Sequence, residues 1–322
     1  MSDPRVLRHV IASITPASLA HGERARRHVV GASAPYLERL AIALGSAQHT
    51  ARPRARRRMI VVCAGDHGAG DPGIALGAAH PTVVAAHAIA DGNAALAQIA
   101  RASQAPIVLV DAGAREPAAM PASTVPLGRG PSRDLMIGPA MTIVDATLAL
   151  EAGIALAVSL AEDGLDVLAV GALGVGADVA SAALLGAVLG SPPTGLADPV
   201  AEAAGAKGAA LGDASGLELL AAFGGPETGV LAGLLLAAAS TNVPVILDGY
   251  ATGAAALVAA ALAPHVTGYL VAAHAGTFTH PGILAYLGLL PVFEVGLGHG
   301  EGTGAAMVLP LIDQVTALTS RG

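Results

Sequence analysis

Aromatic side chains are nearly missing from this chain: its 322 residues include no tryptophan, three phenylalanines and four tyrosines. A core without large rings must be filled by Ala, Val and Leu, so backbones have to approach one another closely. Charge is scarce as well, at 13% of residues against 53% hydrophobic, and the formal net charge is −7. That sign argues against a general nucleic-acid role, which needs a basic surface. The one basic cluster, "ARPRARRR" at 51–58, directly precedes a strand-like run and is expected to be a solvated linker. Cys63 is the single cysteine, which excludes an internal disulfide and a cysteine-built metal site. Long apolar runs are lacking too. Stretches such as 168–177 and 251–264 are short or rich in Gly and Ala, and none reaches the roughly 18–20 strongly apolar residues of a membrane span. No span is therefore expected, despite a mean hydropathy of +0.63. Residues 1–20 hold no continuous apolar segment of the secretory kind, and with the lone cysteine this points to the cytoplasm. Lysine is all but absent: Lys207 is the only one, every other basic residue being arginine.

What is present is a set of short apolar runs, each followed by a glycine-rich loop and an alanine-rich helical stretch. They are "MIVVCAGDHG" (59–68), "APIVLVDAG" (105–113), "LDVLAVGALGVG" (165–176), "VPVILDGYATG" (243–253), "VTGYLVAAHAG" (266–276) and "LLPVFEVGLGHGEGTG" (289–304). Strands without polar alternation, separated by helix-length segments, predict an α/β fold: a Rossmann-like parallel sheet with helices on both faces. Residues 56–304 are expected to form this large domain. Residues 1–55 read as helices, which about 305–322 would complete into a small lobe. The segment 112–140, rich in Pro, Gly and Ser, reads as a long excursion.

Polar residues gather at the predicted C-terminal strand ends: Asp66, His67, Asp111, Asp178, Asp248, His274, His299 and Glu301. In parallel sheets these ends form one rim where ligands bind and helix N-termini point inward. One site built from many loops is the expectation. Within "GLGHGEGTGAAM" (296–307), Glu301 would sit near the positive end of a helix. It could act as a general base or simply cap that helix, and the residues alone leave both open. "GALGVGADV" (171–179) could cradle a phosphate at a helix N-terminus, but Val179 stands where a dinucleotide fingerprint has its third glycine. From the residues alone, tight strand-to-helix turning is the favoured explanation. His67, His80, His87, His274, His280 and His299 raise a rival, a metal-dependent hydrolase, although no H-E-x-x-H or comparable spacing occurs.

Nine fragments, in order along residues 58–315, carry a resemblance: "AGDHG" (64–68), "GNAAL" (92–96), "VDAGA" (110–114), "GPAMT" (138–142), "GALGVG" (171–176), "FGGPETGVLAG" (223–233), "VPVILDGYATGAAAL" (243–257), "AAHAGTFTHPG" (272–282) and "GHGEGTGAAM" (298–307). With these the chain resembles the nicotinate-nucleotide–dimethylbenzimidazole phosphoribosyltransferase family. The resemblance implies a homodimer that joins nicotinate mononucleotide and an aromatic base, with neither metal nor cofactor, membrane nor nucleic acid. It implies that Glu301 is the general base. Gly174, Gly176 and Lys207, with Asp248, Gly302, Thr303 and Gly304, would meet the phosphate and sugar. Asp66, His67, His80, His87 and His274 would form the base pocket.

The chain also departs from the family pattern. The family's "GEMGIGNTT" loop is "GALGVGADV" here, with Ala172 for its glutamate and Asp178 added near the phosphate. After "AGDHG" the family has a serine and a glutamine that touch the benzimidazole, and "GIALGAAHPTVVAAHA" (73–88) has neither. The family's glutamate in "S-x-E-x-G-H" is lost in "GTFTHPG" (276–282). A changed base or donor, or a binding protein without catalysis, are the alternatives these departures raise.

Overall fold

The computed structural model describes residues 5–30, 34–69, 73–162, 164–294, 296–297 and 300–320. Seven parallel strands form one sheet: β1 (Arg58–Gly65), β2 (Ile107–Gly113), β3 (Val125–Pro126), β4 (Val167–Leu173), β5 (Val245–Leu247), β6 (Leu270–His274) and β7 (Pro291–Phe293). All six expected strands are there. The additional β3 is a two-residue pairing inside the 112–140 excursion, too short to leave an apolar run in the sequence. The helices are α1 (Arg5–Ser13), α2 (Leu19–Val29), α3 (Pro35–Ala47), α4 (Pro81–Ala90), α5 (Ala95–Ala102), α6 (Ile143–Ala161), α7 (Ala177–Leu189), α8 (Pro199–Ala209), α9 (Gly216–Phe223), α10 (Pro226–Ser240), α11 (Gly249–Leu262), α12 (His280–Leu287) and α13 (Thr303–Thr319).

The strand order is β3-β2-β1-β4-β5-β6-β7. The chain therefore builds outward from β1 on one side, then returns to β4 on the other. Between β1 and β4 the topology switches direction, and the connecting loops diverge to leave a crevice above the strand ends. Alternate residues of β1 serve opposite faces, as a pleated strand requires. Ile60, Val62 and Ala64 join one apolar cluster, while Val61 and Cys63 join the other. The first cluster is covered by α2, α3, α5 and α13, through residues such as Leu40, Leu44, Leu96, Leu309 and Ile312. The N-terminal helices α2 and α3 thus pack with α13 in a cluster that also includes sheet residues. Helix α1 lies across the sheet, its Leu7 and Val10 joining the cluster of α6, α7, α10 and α11.

The missing aromatics are answered by close helix packing. A Cβ on Gly153 of α6 would lie 1.9 Å from the Val230 carbonyl oxygen of α10, and one on Gly233 of α10 would lie 2.1 Å from that of Leu150. Helix α6 begins at a capping box, Thr142 and Asp145 exchanging side-chain to backbone hydrogen bonds. It also corrects the reading of apolar runs. By length and composition α6 could cross a membrane. Small residues diluted the run in the sequence, and here its inner face is seated on α10. The basic cluster lies at the opposite end of β1 from the crevice. There Arg52, Arg54, Arg56 and Arg57 are exposed while Pro53 and Ala55 are buried, and Arg58 pairs with Asp313.

Candidate active site

The crevice between β1 and β4 is organised by one buried carboxylate. Asp66, at the end of β1, accepts hydrogen bonds from Thr82 Oγ1 (2.6 Å), the Val175 amide (3.0 Å) and the Arg115 amide (2.8 Å). These partners come from α4, the loop after β4 and the loop after β2. Asp66 therefore ties three loops together, fully buried, with its carboxylate oxygens engaged by protein donors. A buried charge with three charge-assisted partners is well compensated.

A second buried carboxylate holds the glycine loop. Asp248, at the end of β5, accepts from the amides of Gly302 (2.6 Å) and Gly304 (3.2 Å) and from His274 Nε2 (2.6 Å). It supplies the partners that the first amides of α13 lack within their own helix. Asp248, Gly302 and Gly304, expected at the phosphate and sugar, are thus bonded to one another. The carboxylate already occupies the helix N-terminus where an anion would go. Gly302 has φ +105°, a conformation that a side chain resists. The chain turns there so that the Gly300 carbonyl accepts from the Ala172 amide of β4 at 2.9 Å. Gly171 leaves room for this approach, since a Cβ on it would lie 2.4 Å from the Glu301 carbonyl. Glu301 is thus held between β4 and Asp248, half-buried, with Thr303 two residues on as the first residue of α13.

Glu301 faces a cavity of about 170 Å³ lined by Pro81, Thr82, Ala85, Ala172, Leu173, Gly174, Val175, Tyr250 and Gly300. Of the expected site residues, the structure brings Gly174 and Glu301 together here. Gly174 also packs on β1, where a Cβ would fall 1.8 Å from the Gly65 carbonyl oxygen. Gly176, with φ +81°, is the N-cap of α7, whose first amides have no partner within the helix. Asp178 occupies the first turn of α7, where a negative charge suits the helix dipole. Tyr250 is a cavity residue that the sequence reading missed. Burial first, then Asp178 and Glu301, push its phenol up to about 12, so it stays protonated at neutral pH. Its rarity in a chain with four tyrosines was the available signal.

The histidines assigned to the base pocket are placed elsewhere. His67 is fully buried, with Nε2 2.9 Å from Glu227 Oε1. Burial pushes its imidazole down, but Glu227, with Asp66 and Asp178, outweighs this and holds it above its ordinary value. His80 is buried as the N-cap of α4, its Nδ1 accepting from the Thr82 amide at 3.3 Å. His87 is exposed, and its Nε2 donates to the Ala119 carbonyl at 3.0 Å. His274 is buried against Asp248. None of these lines the Glu301 cavity. His67 and His274, at strand ends, are taken up by the buried carboxylates Glu227 and Asp248, whereas His80, capping α4, and His87, within it, meet backbone groups. His299 lies outside the described residues. Among the described residues, no three His, Cys, Asp or Glu side chains are placed to hold a metal ion. Lys207 is half-buried on α8 and donates to the Leu135 carbonyl.

Comparisons with known proteins agree with this architecture. A family model described as "Phosphoribosyltransferase" matches residues 18–321. A nicotinate-nucleotide–dimethylbenzimidazole phosphoribosyltransferase of Roseiflexus sp. (strain RS-1) is 36% identical over 297 residues, covering 85% of this chain and 82% of that protein. Another of that name, from Desulforudis audaxviator, is 32% identical over 334 residues, covering 97% of this chain and 94% of its own length. A crystal structure of the enzyme from Thermus thermophilus superposes with a TM-score of 0.82 at 28% identity, covering 94% of this chain and 96% of that one. The chain belongs to the nicotinate-nucleotide–dimethylbenzimidazole phosphoribosyltransferase family.

Proposed function

We propose that this chain transfers the 5-phosphoribosyl group of nicotinate mononucleotide to a ring nitrogen of an aromatic base such as 5,6-dimethylbenzimidazole. The observation that carries the proposal is Glu301 in a cavity at the sheet's switch point, beside the N-terminus of α7. Glu301 takes the N–H proton of the base while the other ring nitrogen attacks C1 of the ribose. The C1–nitrogen bond to nicotinate breaks, and its electron pair neutralises the pyridinium nitrogen. The leaving group needs no proton, so one carboxylate suffices. Donor phosphate would sit at the first turn of α7, near Gly174 and Gly176. Lys207 has two further donors beyond its bond to Leu135 with which to meet the phosphate. The enzyme would act in the cytoplasm as a homodimer. The exposed Ile137, Ile143, Val144 and Val158 around α6 support a covered face there.

A second reading keeps the chemistry and changes the donor or the base. It is favoured by Asp178, whose charge reaches both Tyr250 and His67 from the first turn of α7. An anionic donor is less welcome there than beside the family's neutral residues. One experiment tests both readings. The purified protein is incubated with nicotinate mononucleotide and a panel of azole and phenolic acceptors, and product masses are measured. Glu301→Gln should lower turnover by about 10²–10⁴-fold while ligand binding survives. Near-normal turnover in that variant would remove Glu301 from the mechanism, and binding without turnover by the unmodified chain would leave a binding protein.

A further inference from the structure

We infer that Phe278 and Tyr250 form an aromatic wall that receives the flat acceptor ring and sets which bases this chain accepts. The inference rests on Glu301 being the general base of the proposed reaction. It starts from rarity. The chain holds only three phenylalanines and four tyrosines, yet one of each meets edge to face at this rim, ring centroids 5.7 Å apart and planes inclined by 68°. Tyr250 lines the Glu301 cavity. Phe278 belongs to the turn after β6, the same stretch that departs from the family's pattern.

The conformation of Phe278 is the second observation. Its φ is +54°, in the left-handed region, and the residue is 49% exposed. A bulky residue there is an outlier that glycine would relieve, and an exposed ring gains little from burial. An observed outlier of this kind beside a site motivates a functional role. The turn is fixed rather than loose. Thr279 Oγ1 meets Ser181 Oγ at 2.8 Å, and Ser181 Oγ donates to the Asp178 carbonyl at 2.8 Å. The turn that carries Phe278 is therefore tied through Thr279 to the first turns of α7, and the Phe278 ring meets the Glu301 cavity through Tyr250.

The rest of the cavity explains what the wall must supply. Ala85, Ala172 and Leu173 are apolar, and the buried Asp66, His67, His80 and His274 are already partnered. The described lining thus offers a planar base few polar contacts besides Thr82, Tyr250 and Glu301. Stacking on a ring face is the remaining way to hold a flat heteroaromatic in register with Glu301. The phenol, kept protonated by burial and the nearby carboxylates, can additionally donate to a ring nitrogen or hydroxyl.

The test measures KM for acceptor and donor separately, with isothermal titration of 5,6-dimethylbenzimidazole in parallel, for the unmodified chain, Phe278→Leu, Phe278→Trp and Tyr250→Leu. Thermal unfolding of each variant reports on folding. Phe278→Leu should raise the acceptor KM and Kd about tenfold, leave the donor KM unchanged, and affect bicyclic acceptors more than imidazole. Phe278→Trp should retain affinity. Unchanged acceptor constants in Phe278→Leu, or equal losses for donor and acceptor, would overturn the inference and leave the proposed reaction standing. If the unmodified chain neither binds nor converts any aromatic base, the reading of the reaction falls with it.

Discussion

Replacing Asp248 by asparagine separates a phosphate ligand from a support of the Glu301 loop. The carboxylate is fully buried and accepts three hydrogen bonds, from Gly302, Gly304 and His274. Asparagine preserves the shape but removes the charge. Its amide oxygen can still accept from the two glycine amides, each bond falling from a charged to a neutral one at a loss of about 1 kcal/mol. Its NH₂ would face His274 Nε2, forcing that ring's proton onto Nδ1, which has no partner among the described residues. The sum is about 2–3 kcal/mol of lost stability. That is a substantial part of the roughly 5–15 kcal/mol typical of a folded domain. Asp248→Ala should cost about 4–6 kcal/mol, because two amides and a histidine lose their partner in a dry interior. Catalysis should suffer beyond stability. Glu301 is held by the same loop, and a displacement near 1 Å can cost about 10²-fold in rate. The assay is urea unfolding alongside kcat and both KM values, taken well below the unfolding transition. Support of Glu301 appears as a lower kcat with little change in donor KM. A raised donor KM at unchanged kcat would refute this and return Asp248 to the phosphate.

Lys207→Ala should weaken nicotinate mononucleotide about tenfold or more, leaving the acceptor unchanged, since a charge-assisted contact to phosphate is lost. Separate titrations of the two ligands check it, and a loss confined to the acceptor would disprove the assignment. Stability should also fall as pH drops from about 6.5 towards 4. Burial first, then His274, depress His280 to about 4, so the native state resists a proton that the unfolded chain takes up. The full effect is about 3 kcal/mol and is present above the unfolded value near 6.5. Unfolding curves of the unmodified chain and His280→Leu across this range should diverge, the variant showing the flatter dependence. His67 works in the other direction, because its net-raised value contributes stability that is complete below about 6.5 and is lost as pH rises through the native value.

The α/β class, six of the strands and the rim of polar residues were legible because they are local facts. A run such as Met59–Gly65 has one reading when glycine loops and helical stretches bracket it, and parallel strands put their C-terminal ends on one side. The position of Glu301 was legible for the same reason, since a glycine loop before a helix is a contiguous motif. What each rim residue touches was not legible. Asp66 and Glu301 look equally available in one dimension, yet one is consumed by Thr82, Val175 and Arg115 while the other faces a cavity. Those partners lie 16 to 109 positions away along the chain. A buried charge takes whichever donors the packing brings to it, and sequence spacing carries no record of that choice. The meeting of Tyr250 with Phe278 and the hold of Asp248 on Gly302 arose in the same way. The sequence determined which residues reach the rim. Only the tertiary structure decided which of them remain free to meet a substrate, because that depends on which polar groups had to be satisfied inside.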